Sequence, residues 1–255
     1  MSENVNAGEE ATAEATAEPT ANKEWWEEDG LPWNGQPSKA DYWCLGWFGF
    51  VGLFGLAMIP LRAWLLGLDP PIMLALTGSR LGAASTGALA AVGQAPHWLV
   101  YLLIGSLVAI KFDWIYWWAG KLWGRGILDV QASNSKRAAK NIERVEHWAL
   151  KLGWLGIFLA YVPIPLPIAF VVFVLMGMTG MPLWKFMVLD FVSKTLWSFL
   201  YLSLGWWIGE PVVTVLDQYA KIANYIAIAL VVVVLFGVFR KQSKAKPAKL
   251  AKPQV

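Results

Sequence analysis

Cysteine, histidine and charge are all scarce in this 255-residue chain. The single cysteine, Cys44, excludes an internal disulfide and any cysteine-based metal cluster. The two histidines, His97 and His147, are far apart in sequence, which argues against a zinc site. There is no Ser/His/Asp set and no P-loop, so neither an enzyme nor a bound cofactor is expected, and nothing points to nucleic acid. Charged residues make up only 15% of the chain and hydrophobic ones 57%. That balance excludes an ordinary soluble domain.

What is present instead is a series of apolar runs near the roughly 20 residues that cross a bilayer. Residues 43–68, 96–124, 182–209 and 221–239 are expected to span. Many of the 17 tryptophans flank these runs, where indole rings favour the interface. Glycines 46, 49, 52 and 55 would give the first span a flat face for close helix packing. Arg62, near its end, is expected to snorkel. Residues 1–40 form an acidic, low-complexity tail, expected to be disordered and too poor in basic and apolar residues for a signal peptide. Residues 240–255 form a basic tail with alternating prolines, expected to be disordered and drawn to lipid. The membrane domain would be 41–239. Between the second and third spans, Ala138, Ile142, Val145, Ala149 and Leu152 repeat at helical spacing. Lys136, Arg137, Lys140, Arg144 and Lys151 occupy the other faces, as suits an amphipathic helix on an anionic leaflet.

The chain is organised around 154–209 and the run Tyr161-Val162-Pro163-Ile164-Pro165-Leu166-Pro167. Proline lacks a backbone donor and clashes with the preceding helical turn. The run is therefore either a re-entrant hairpin or a kinked spanning helix. Charge favours re-entry. The 125–151 loop and the C-terminal tail are both basic and should share the cytoplasmic side. Three apolar runs lie between them, so one must fail to cross. A second hairpin is expected over 70–92, with Pro70 and Pro71 at its turn and Arg80 inside it. Both tails would then be cytoplasmic, with 69–71 and 209–220 facing outward.

Gly93…Pro96…Trp98 resembles Gly180…Pro182…Trp184, each following a suspected hairpin and opening a span. The fold expected is all-α and integral to the membrane, with about four spans, two re-entrant hairpins in an inverted repeat and one interfacial helix.

Several stretches resemble the DedA family, also called VTT or SNARE-associated membrane proteins. They are Gly87-Ala-Leu-Ala-Ala-Val-Gly93, Phe112-Asp113-Trp-Ile-Tyr-Trp-Trp-Ala-Gly120, Gly153-Trp-Leu-Gly-Ile-Phe158, Gly177-Met-Thr-Gly-Met-Pro182 and Leu204-Gly205…Gly209. The resemblance covers roughly 69–209 and fits a divergent bacterial member. It implies paired re-entrant hairpins, a multi-pass protein of the plasma membrane, and movement of a phospholipid or polyprenyl-phosphate lipid between leaflets, sometimes driven by the proton-motive force. Asp113 matches a family acid. The family's first-hairpin acid has no clear match, and its two arginines fall at Ala160 and Leu166. A cation would have to come from Arg80, Lys111 or Lys194.

Intramembrane ionisable residues are functional candidates by default. Arg80, Lys111 and Lys194 could attract a phosphate, with Asp113 and Asp190 holding the cations or exchanging a proton. Asp190 and Lys194 are four apart and could simply pair. The implied partners are membrane lipids with anionic head groups, with a homo-oligomer as a further option. Two other readings remain: a proton- or ion-coupled carrier of a small solute, and a non-transporting membrane scaffold.

Overall fold

The computed structural model describes residues 31–33, 35–133, 136–163 and 168–244. Among these every regular element is a helix. Helix α1 runs Lys39–Leu68, α2 Pro70–Thr77, α3 Arg80–Ala91, α4 Trp98–Ala109, α5 Asp113–Trp123, α6 Gly126–Ser133 and α7 Lys136–Leu152. The rest are α8 Leu155–Leu159, α9 Ile168–Met178, α10 Leu183–Ile208 and α11 Glu210–Lys244. Four stretches are long and apolar enough to cross a membrane: Lys39–Leu68, Trp98–Trp123 (α4 and α5, joined through a tight turn), Leu183–Ile208 and Glu210–Gly237. The chain is a multi-pass membrane protein by this measure.

The first predicted hairpin is two helices, too short at 8 and 12 residues to span. Its turn is not at the prolines. Pro70 and Pro71 open α2 behind the cap Asp69, whose carboxylate accepts from the Ile72 amide at 2.9 Å. Proline is at home there, because the first helical amides have no partner to lose. The reversal comes at Gly78, in the left-handed region at φ 57°, followed by Ser79, which caps α3. Gly82 and Gly87 lie within α3. A Cβ at Gly87 would strike the Leu202 carbonyl of α10.

In the second half α8, with 5 residues, and α9, with 11, occupy the corresponding place. Pro163 follows α8; Pro165 and Pro167 lie outside the described residues. Val171 to Gly177 of α9 are all buried, so this apolar segment is sheathed by protein. The core around it draws on α5, α7, α8 and α10, including Trp117, Ile142, Val145, Ile157 and Phe186.

The two halves pack by one scheme. α3 lies along α10, and α9 lies along α5. Each contact is a reciprocal glycine pair: Gly87 against α10 and Gly205 against Ala84, Gly177 against Trp117 and Gly120 against Val174. Small residues let the backbones touch. Gly124 and Gly209 close their respective spans in the same unusual conformation, φ 53° and 63° with ψ −126° in both. Gly93 and Gly180, matched in sequence, follow α3 and α9.

Three expectations change. The stretch 209–220, expected to lie before the last span, is already helical: after Gly209, α11 starts at once and packs along α1. Pro211 stands at the second position of α11, where its ring does not interrupt a helix. The glycine stripe at 46, 49, 52 and 55 meets nothing within 4 Å; the close α1–α11 approach is made by Gly67 against Ala223. Trp33 is not on a solvated tail but lies against Trp123, their centroids 6.3 Å apart. Residues 1–30 and 245–255, most of the expected tails, lie outside the described residues, while α11 continues to Lys244. The amphipathic helix appears as α7, its apolar residues Ile142, Val145 and Ala149 buried.

Candidate functional site

The site grows around Tyr161, in the bend between α8 and Pro163. Its hydroxyl lies 2.6 Å from Asp190 Oδ1 on α10 and 3.2 Å from Asp113 Oδ2 at the start of α5. A phenol has one proton to donate. If it goes to Asp190, the shorter contact, the contact with Asp113 is satisfied only when Asp113 carries a proton and donates it to the Tyr161 oxygen. Hydrogen-bond counting thus gives one proton shared among two carboxyls and a phenol, beyond the phenol's own. Asp190 is fully buried, and its Oδ2 has no hydrogen-bond partner.

The Tyr161 carbonyl accepts a hydrogen bond from Arg80 Nη2 at 3.1 Å. Tyr161 therefore joins both hairpins to both central spans. Arg80 is the first residue of α3, and its guanidinium carbon stands 5.7 Å from the centre of the Tyr201 ring. Lys194, 8% exposed, holds its ammonium 5.4 Å from the Tyr161 ring centre. The i,i+4 pairing of Lys194 with Asp190 is not formed: no contact within 4.0 Å joins them, and Asp190 turns to Tyr161 instead. Among the described residues, the only ion pairs are those of Arg125 with Asp129 and Glu146.

These cations border a cavity of about 720 Å³. Arg62, Arg80 and Lys194 supply charge; Ser79 and Gly78 bring the start of α3; Tyr219 forms part of the α11 wall. The positive end of the α3 dipole and its first amides face an anion favourably. A second cavity, about 190 Å³, lies beyond Arg62, Thr77 and Ala109, which line both. It holds Lys111 and Asp113. Lys111 does not pair with Asp113. It sits in the turn after α4, its ammonium 4.3 Å from the Phe54 ring centre and 5.2 Å from that of Phe112.

Of the predicted residues, Asp113, Asp190, Lys194 and Arg80 converge, with Lys111 one cavity away. Pro70 and Pro71 lie apart from this cluster, at the mouth of a different cavity beside His97. Pro163 follows the Tyr161 bend by two residues. Two residues were missed. The sequence shows Tyr161 only at the edge of a proline turn; a lone tyrosine in an apolar run before prolines is the available signal. Arg62 reads in the sequence as a snorkelling residue, and no sequence signal places it on one cavity wall with Lys194. Ala160, at one family arginine position, is buried and apolar; Leu166, at the other, lies outside the described residues. No group of three or more His, Cys, Asp or Glu able to hold a metal occurs among the described residues.

No curated protein and no solved structure matches the chain. The family model described as the VTT domain matches residues 72–207, from the first turn of α2 almost to the end of α10. That span takes in both helix pairs, the reciprocal glycine pairs and five of the six convergent charged or phenolic groups, leaving α1, α11 and Arg62 outside. The match covers more than half of the chain, and the chain belongs to the VTT-domain, or DedA, family.

Proposed function

We propose that this protein moves an anionic lipid between leaflets of the plasma membrane, its head group passing through the cavity bordered by Arg62, Arg80 and Lys194. The observation that carries this reading is three cations around one cavity with no carboxylate in ion-pair contact. Uncompensated charge at membrane depth is costly. A phosphate arriving there gains charge-assisted hydrogen bonds from Arg80 and the amides of α3. The nearby acids, Asp113 and Asp190, bond to Tyr161 and do not line this cavity.

In this reading α2–α3 and α8–α9 are re-entrant hairpins related by an inverted repeat. The common packing scheme of the two halves supports it, as does the burial of α9. Irregular backbone at membrane depth is tolerated where protein or a wet cavity encloses it. The basic α7 and the basic C-terminus would then lie on the cytoplasmic side, the N-terminus with them.

Reconstitution into vesicles tests it. Wild-type protein is expected to exchange a fluorescent phosphatidylglycerol between leaflets, and Arg80→Ala to abolish that exchange while eluting as folded protein. Uptake of a small solute under a pH gradient, with no lipid exchange, would establish the carrier reading in its place.

A further inference from the structure

The two cavities are not separate features. They share Arg62, Thr77 and Ala109, and of these only Arg62 is charged. Arg62 lies close enough to feel the charge of both Lys111 and Lys194, and Lys194 also feels Arg80 and, in the opposite sense, Asp113 and Asp190. Four cations thus form a row, Lys111, Arg62, Lys194 and Arg80, across two adjoining spaces. Two carboxyl groups lie nearby. Asp113 lines the smaller cavity, but its Oδ2 is turned to Tyr161; Asp190 is fully buried behind the same phenol. Neither is in ion-pair contact with any of the four. Like charges in a row repel unless an anion lies among them. Arg62 is also the one member from outside the matched domain, on α1, two residues after Pro60.

From this placement we infer that Arg62 is a substrate-binding residue linking two stations of one lipid route, passing an anionic head group between the Lys111 cavity and the Arg80–Lys194 cavity. The inference rests on the lipid-moving reading above. It adds that the route runs along α1, which contributes a cation from outside the matched domain. A long, planar guanidinium suits the role, since it presents several donors in a fixed fork to successive phosphate positions.

The test uses full-length protein in vesicles, with exchange of fluorescent phosphatidylglycerol and phosphatidylcholine measured side by side. Arg62→Gln is expected to slow phosphatidylglycerol exchange roughly 10-fold or more, the scale of a lost hydrogen bond between charged groups. Arg62→Lys should recover part of it, and Lys111→Gln should slow it less. The ratio of the two lipids' rates should fall toward one in Arg62→Gln, a change that mere loosening of the fold would not give. Arg62→Cys, made with Cys44 replaced, provides the second arm. An ammonium-bearing thiol reagent should restore exchange and a neutral reagent of similar size should not. Equal restoration by both reagents, or an unchanged lipid ratio in Arg62→Gln beside an inactive Arg80→Ala, overturns the role of Arg62 alone. Absence of any exchange in the wild type would overturn the lipid-moving reading and this inference with it.

Discussion

The two hairpins are built alike and equipped differently. In each, the second arm lies along the opposite half's span through facing glycines. The first hairpin carries Arg80 and a capped helix start open to a cavity. The second brings no charged side chain in its described residues, only the Tyr161 phenol and a carbonyl. The first lines the cationic cavity; the second bonds the two acids and the arginine. Packing is thus common to both halves, while the chemistry is divided between them.

The largest effects should come from the shared packing. Gly87→Leu and Gly177→Leu each drive a side chain into the backbone of a partner helix, at Leu202 and Trp117 respectively. Overpacking of this kind costs about 1–3 kcal/mol or more. Both variants should lose the folded peak in size-exclusion chromatography, whereas Gly49→Leu, with nothing within 4 Å, should keep it. Unequal damage from the first two would break the likeness of the halves.

A smaller effect is expected at the junction. Tyr161→Phe removes the only hydroxyl between two carboxyls and should cost about 1–3 kcal/mol, the penalty for stranding buried polar groups. Thermal unfolding in detergent measures it. Substituting the acids singly sharpens the comparison. Asp113→Asn still offers a donor to the Tyr161 oxygen and should melt close to wild type. Asp190→Asn weakens the acceptor in the 2.6 Å bond and should melt lower. The reverse order would place the shared proton on Asp190. Least should come from Arg125→Ala. Its bonds to Asp129 and Glu146 involve an arginine 56% exposed, and such pairs contribute about 0–1 kcal/mol. A large loss of melting temperature there would mean that α6 and α7 are held by charge rather than by Ile142, Val145 and Ala149.

Much of the fold was legible because bilayer thickness and helical period leave plain marks. The spans of 182–209 and 96–124, and the amphipathic 135–152, needed only apolar run length and spacing. The α4–α5 turn at Lys111 was not visible within an apolar run. Neither was the start of α11, since the last span was expected only from 221 and packing on α1 keeps the preceding residues helical. Of the site, each charged member stood out against an apolar background. Their grouping did not, because Tyr161 meets Asp190, and Arg62 shares a cavity with Arg80 and Lys194, only through the packing of elements far apart in the chain. The Asp190–Lys194 spacing even pointed the wrong way: helical geometry put both on one face, and the phenol from the second hairpin took the carboxylate.

The most direct measurement is the leaflet exchange rate of fluorescent phosphatidylglycerol in vesicles holding the Arg80→Ala/Lys194→Ala double variant, with its fold verified by size exclusion. Exchange at the protein-free rate is the expected result. Exchange at the wild-type rate would contradict the cationic cavity as the lipid's way across.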